Sequence, residues 1–298
     1  MRREGEDTGM KIMFIADITG RPGRWIVSQL LWAFKRKHEV DFVIANVENA
    51  AGGYGITREM SQKLFTYGVD VQTSGNHIWD RQEAHELLDE EPYLIRPANY
   101  PPGVPGHGSV VKKAENGVSV AVLNLQGRVF MKEIDCPFRV ADREINRLSA
   151  ETPIIFVDMH AEATSEKQAL SYYLDGRVSA VIGTHTHVQT ADERILPKGA
   201  ACLTDAGMTG PHDSVLWVRP QDAIKRLMTG LPHRFQMAEG DIKMCGVVIG
   251  VDEKTGKAKS IERYRLDYDG SVTAREYFHL PPREQGEPEP RPVTPGEA

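Results

Sequence analysis

Five short apolar runs in this chain each end in a polar residue that can bind a metal ion. No other feature constrains the fold as much. The residues are Asp17, Glu48 with Asn49, Asn76 with His77, His160, and His185-Thr186-His187. Short apolar runs bounded by Gly and Asn suit strands buried on both faces. Polar side chains just beyond such strands sit where open α/β sheets place their sites, at the carboxyl ends. Together the five loops supply three histidines, two carboxylates and two amides for metal, with one histidine to spare. That set suffices for two metal ions sharing one carboxylate and makes phosphoester hydrolysis the leading expectation.

The first half alternates strand and helix. Strands are expected at 11–16, 42–46 and 69–73, and helices at 25–38, 57–67 and 81–89, a pattern of βαβ units with parallel pairing. The middle is richer in strands, at 108–113, 118–123, 154–158 and 180–183, with helices at 142–150 and 165–174. Asn116-Gly117 marks a hairpin turn. Strands at 200–204, 244–251, 258–268 and 271–279 and a helix at 221–228 follow. The expected class is α/β, with a mixed sheet or two packed sheets covered by helices. Residues 1–9 read as a frayed start, 10–280 as a single domain and 281–298, repeatedly Pro, Glu and Gly, as a disordered tail. Residues 205–242 are a candidate lid or cap.

At 298 residues and 40% hydrophobic, the chain can bury a sizeable core. Its three cysteines, Cys136, Cys202 and Cys245, are scattered. They form neither a thiolate metal site nor a disulfide framework, which favours a reducing compartment. No apolar run reaches the ~18 residues of a spanning helix, and the first one is too short for a signal peptide. A cytoplasmic protein is expected. Net charge is −6, and Lys and Arg are dispersed. This pattern argues against extended nucleic acid as a partner, while metal ions would still supply local positive charge for a small anion.

Each loop has a chemical role in this scheme. Asp17 is a terminal ligand rather than only a helix-capping turn residue. Glu48 has two oxygens and is the candidate bridge, beside glycines that imply close backbone approach. Asn76 can ligate through its amide oxygen. His77 can stand outside the metal shell as a proton donor, and Asp80 could either support a residue of the site or cap the next helix, the cap being favoured. Asp158 and Glu162 flank His160, and either could orient a ligand imidazole. His185 and His187 would point to one side if the chain there is extended. His107 and His212 are weak candidates for a pocket rim. Without thiolates a closed structural zinc site is not expected.

Two cations can hold a bridging hydroxide as nucleophile and clamp a phosphoryl group. The reaction then lacks only an acid for the leaving alkoxide, and His77 suits that task. The His-x-His-x-Asp-His pattern of β-lactamase-like hydrolases fails here, because Val188-Gln189-Thr190 follow His187.

At these residues the chain resembles the calcineurin-like metallophosphoesterases, most closely their bacterial YmdB-like branch. The strings that carry the resemblance include Asp17-Ile18-Thr19-Gly20-Arg21-Pro22-Gly23, Val47-Glu48-Asn49-Ala50-Ala51 and Gly75-Asn76-His77-Ile78-Trp79-Asp80. Others are Arg96-Pro97-Ala98-Asn99, Asn124-Leu125-Gln126-Gly127-Arg128, His160-Ala161-Glu162-Ala163 and Asp205-Ala206-Gly207-Met208. The resemblance implies a mixed β-sandwich flanked by helices. It implies Asp17, Glu48 and His187 on one metal and Glu48, Asn76, His160 and His185 on the other, with Asn49 an additional or near ligand. It further implies His77 as proton donor, iron or manganese (zinc also fits the donors), a homo-oligomer, and hydrolysis of 2′,3′- or 3′,5′-cyclic nucleotides. Two positions depart from the wider superfamily: Thr19 stands where a histidine is usual, and Glu48 where aspartate is usual. A phosphomonoesterase is the near alternative. A regulatory interaction protein with a sensory or vestigial metal site is the distant one, and retention of nearly every expected ligand weighs against it.

Overall fold

The computed structural model describes residues 9–268. In chain order the elements are β1 (Met10–Ile15), α1 (Gly20–His38), β2 (Phe42–Asn46), α2 (Arg58–Thr66) and β3 (Val71–Thr73), then a short 3-10 helix (Asn76–Asp80) and α3 (Glu83–Glu90). Next come β4 (Ser109–Lys113), β5 (Ser119–Gln126), α4 (Pro137–Leu148), β6 (Ile155–His160), α5 (Thr164–Leu174) and β7 (Ala180–Thr184). The remainder is β8 (Arg194–Ile195), β9 (Ala201–Leu203), β10 (Gly210–Pro211), α6 (Pro220–Thr229), β11 (Ile242–Val251) and β12 (Ala258–Asp267).

Two mixed sheets result. In the first, β1, β2 and β3 run parallel, while β11 pairs antiparallel with β1, β10 and β12. In the second the order is β4-β5-β6-β7-β9-β8, with β5, β6, β7 and β9 parallel and β4 and β8 antiparallel at the edges. Alternation along the strands divides the apolar residues. Ile12, Phe14, Phe42 and Ile44 of the first sheet pack on Val120, Val122, Phe156 and Ile182 of the second. Met13, Ile15 and Val43 turn outward onto α1, α2 and α3 through Ile26, Leu31, Leu64 and Leu87. Leu123, Val157 and Val181 turn outward onto α4 and α5 through Ile145 and Leu170. The product is four layers, helices-sheet-sheet-helices, and so two packed sheets rather than one.

Local chemistry agrees with this layout. α1 ends in Lys35, Arg36, Lys37 and His38, which suit the negative end of its dipole. Thr57 caps α2, its hydroxyl accepting from the Met60 amide. α4 begins at Pro137 rather than at 142, because proline is favoured in a helix's first turn. The two-residue strands β8 and β10 and the 3-10 helix have no counterpart in the sequence expectation. Three expectations, the strand at 271–279, the tail at 281–298 and all but Gly9 of the frayed start at 1–9, lie outside the described residues. Among the described residues no helix is long and apolar enough to cross a membrane.

Phe14 and Phe156 meet across the sandwich with ring centroids 5.1 Å apart, both without solvent exposure. Phe156→Ala is expected to lower unfolding free energy by about 3 to 5 kcal/mol in denaturant titration. A loss well under 1 kcal/mol would show that the two sheets do not depend on this contact.

Candidate metal centre

The loops after β1, β2, β3 and β7 and the last residue of β6 meet at one edge of the sandwich. Ligand atoms of Glu48, His160 and His185 all lie within 4.8 Å of one another, and so do those of Asp17, Glu48 and His187. Glu48 belongs to both sets. The two amides join them, one each: Asn76 Oδ1 is 3.0 Å from His160 Nε2, and Asn49 Oδ1 is 3.3 Å from His187 Nε2. The structure thus brings together all seven residues expected to bind metal.

Several buried atoms here have no hydrogen-bond partner: Asp17 Oδ1, Glu48 Oε1 and His187 Nδ1. Glu48 Oε1 lies 3.1 Å from His160 Nε2, yet the pair is not aligned as a hydrogen bond. Each such orphan costs about 1 to 3 kcal/mol, and a cation among them removes that cost. The residues therefore fit metal ions. Gly75 completes the cradle, because a Cβ there would collide with Glu48 Oε2 and with the His160 ring.

A second layer of buried polar groups aims the ligands. Asp158, fully buried, accepts from Asn46 Nδ2 at 2.9 Å, from the Thr73 hydroxyl at 2.5 Å and from the Thr184 hydroxyl at 2.7 Å. With its proton given to Asp158, Thr184 Oγ1 accepts from His160 Nδ1 at 2.9 Å. That contact leaves Nε2 as the nitrogen facing Asn76 and Glu48. Asp158 thus acts on His160 through Thr184, while Glu162 pairs with His185 instead, at 3.1 Å. Asp80 does not cap α3. Gln82 holds the cap position without a side-chain bond, and Asp80 Oδ2 meets His77 Nδ1 at 2.8 Å. The His77 amide in turn donates to Glu48 Oε2 at 3.2 Å. Thr19, at the position where the resemblance leads one to expect a histidine, is buried and donates to the Asp17 carbonyl at 3.0 Å.

The chain at His185 and His187 is not extended. Both have left-handed backbones, φ 93° and 62°, which cost about 1 to 3 kcal/mol each unless the surroundings hold them. This turn lets the two imidazoles serve different donor sets. Asp205, missed from sequence, holds it: Oδ2 accepts from the Thr186 amide at 3.1 Å, its hydroxyl at 2.6 Å and Lys167 Nζ at 2.7 Å. Both Asp205 and Lys167 are buried. Asp205 follows an apolar strand, β9, just as the five ligand loops do, so the same rule would have found it. His107 bonds to the Pro92 carbonyl, away from the centre, whereas His212 shares a cavity of about 470 Å³ with His187.

Electrostatics follow from burial and proximity. Burial opposes ionisation of Glu48, but the charge and contact of His160, then His77 and His185, take it down to about 2. Burial would also lower His160, yet Glu48, Asp17 and Asp158 raise it to about 9. Burial, then the nearby His160 charge, pushes His185 down to about 3, and His187 falls to about 4 chiefly through burial. Burial holds Asp17 well above the usual carboxylate range.

A family model described as YmdB-like protein matches residues 13–264. The chain belongs to the YmdB-like family. This family lies within the metallophosphoesterases, and the two packed sheets flanked by helices are the calcineurin-like fold. Membership implies divalent metal ions. Among relatives of this YmdB-like chain, the 2′,3′-cyclic-nucleotide 2′-phosphodiesterase of Bacillus subtilis (strain 168) is 51% identical over 260 residues, 87% of this chain and 98% of the relative. A hypothetical protein from Thermus thermophilus is 40% identical with TM-score 0.78, covering 86% of this chain and 99% of that one. A novel phosphatase from Mycoplasma pneumoniae is 33% identical with TM-score 0.82, covering 89% and 94% respectively.

Two outcomes are expected of the metal-free protein. At pH 7 His160 carries a proton that a metal must displace, whereas His185 and His187 are already neutral. Metal binding should therefore release at least one proton, and affinity should rise about tenfold per pH unit between pH 7 and 8. Calorimetry in buffers of different ionisation enthalpy measures this, and binding without proton release would contradict it. Gly75→Ala should weaken metal binding roughly 10- to 100-fold by pushing Glu48 and His160 apart; an unchanged isotherm would rule that out.

Proposed function

We propose that this chain is a dinuclear metal-dependent phosphodiesterase that opens 2′,3′-cyclic nucleotides at the 2′ oxygen. The observation that carries this reading is the pair of buried donor sets joined at Glu48. Asp17, Glu48, Asn49 and His187 would hold one ion, and Glu48, Asn76, His160 and His185 the other. Imidazole, carboxylate and amide donors without thiolate suit iron or manganese, and also zinc. Two ions so held would neutralise the phosphoryl oxygens and bring the pKa of an attacking water down towards ~7.

The chain's own residues account for the remaining needs. Water oxygen adds to phosphorus in line with the bond to the 2′ oxygen. That bond breaks, leaving a 3′-monophosphate and a 2′ alkoxide that needs a proton. We assign that proton to His77. Asp80 engages Nδ1, the main-chain amide is tied to Glu48, and among the described residues no hydrogen bond occupies Nε2, which would serve as the donor. The side chain is 29% exposed, so a proton can be replenished from solvent. The Bacillus relative, matched over 98% of its length, supports the choice of diester. A 3′,5′-cyclic nucleotide has no bond from phosphorus to the 2′ oxygen; its P–O3′ or P–O5′ bond would break instead, leaving an alkoxide with the same need for a proton, and it is the second substrate class of this proposal.

The test compares leaving groups. His77→Ala should lower kcat on 2′,3′-cyclic AMP by about 10² to 10⁴, because the ribose alkoxide cannot leave unprotonated. It should cost far less on bis-p-nitrophenyl phosphate, whose phenolate needs no acid. Equal losses on the two would remove the acid assignment. Faster hydrolysis of p-nitrophenyl phosphate than of any diester would favour a phosphomonoesterase instead.

A further inference from the structure

We infer that Tyr54, backed by Trp217, is the flat surface against which the leaving nucleoside packs. This deepens the phosphodiesterase reading and rests on it. An acid must come within about 3 Å of the oxygen it protonates, so whatever is bonded to that oxygen lies beside His77. The aromatic ring beside His77 is Tyr54, with centroids 4.9 Å apart at 73°. Tyr54 is only half-buried.

The ring is held from behind by a built structure. Trp217 meets it edge-on, at 5.3 Å and 88°, and is itself 8% exposed. Trp217 fills the space a Cβ would need at Gly53, which has φ +96°, and comes within 2.9 Å of that position. Leu216 and Trp217 are consecutive left-handed residues, φ 52° and 83°. Such strain collects at ligand clamps and persists only when neighbours impose it. Here the neighbours are Phe235, 6.3 Å from Trp217, and the small cluster of Met208, Val218 and Met237. A held aromatic face accepts any base, because every base has a π-face. The ligand chemistry is therefore a nucleoside cyclic phosphate, with the ring system on the His77 side.

Glycerol 1,2-cyclic phosphate carries the same strained diester without a base or furanose and serves as the reference substrate. The ratio of kcat/KM for 2′,3′-cyclic AMP over this reference should fall roughly tenfold in Tyr54→Ala, mainly through KM for the nucleotide. Tyr54→Leu, which keeps apolar bulk but not the flat face, should show the same fall, and Tyr54→Phe should restore the ratio. An unchanged ratio in both Tyr54→Ala and Tyr54→Leu would overturn the inference and leave the diester reading standing. Wild-type protein inert on both diesters would remove that reading and the inference with it.

Discussion

A carboxylate without access to water sits where the two sheets meet, and the rest of the site is arranged around it. Glu48 is fully buried, lies against His160 and is tied to the His77 amide. A buried anion needs paired positive charge or a bound metal. In the metal-free protein the His160 imidazolium provides it. A cation supplies it better, since it also satisfies the orphaned oxygens of Asp17 and Glu48 itself. The energetic demand of one side chain thus favours a site that would exchange a proton for metal.

The sandwich makes this possible by topology. β1, β2 and β3 in one sheet and β6 and β7 in the other deliver their ends to the same edge, so five chain segments distant in sequence converge without a long loop. Precision then comes from the buried second layer. Asp158 ties the ends of β2, β3 and β7 to β6, and Asp205 with Lys167 pins the strained turn that carries His185 and His187. Asp158, through Thr184, determines which nitrogen of His160 faces inward, and Asp205 fixes the backbone between His185 and His187 through Thr186. Both aspartates are themselves buried, so removing the hydroxyl and ammonium donors around them would leave an unpaired charge.

The ligand loops were legible in sequence because each follows a short apolar run, and that pattern depends only on neighbours along the chain. The parallel strands and most helices were legible for the same reason. What escaped depends on contacts between segments. Asp80 reads locally as a cap, yet the 3-10 turn at Asn76–Asp80 folds it back on His77. Glu162 does meet a candidate ligand imidazole, as expected, but which one, His185 rather than the neighbouring His160, depends on the turn after β7. The link between Tyr54 and Trp217 spans a separation no local pattern reports, and the left-handed backbone of His185 and His187 contradicts the extended geometry that His-x-His after a strand suggests. Asp205 alone was within reach of the strand-end rule, since β9 precedes it.

The central claim is that two ions share Glu48. Anomalous diffraction at the absorption edge of the bound metal, on crystals of the loaded protein, tests it most directly. Two peaks are predicted, both within ligand distance of Glu48, one beside Asp17 and His187 and the other beside His160 and His185. A single peak, or a pair of which only one touches Glu48, would contradict the account.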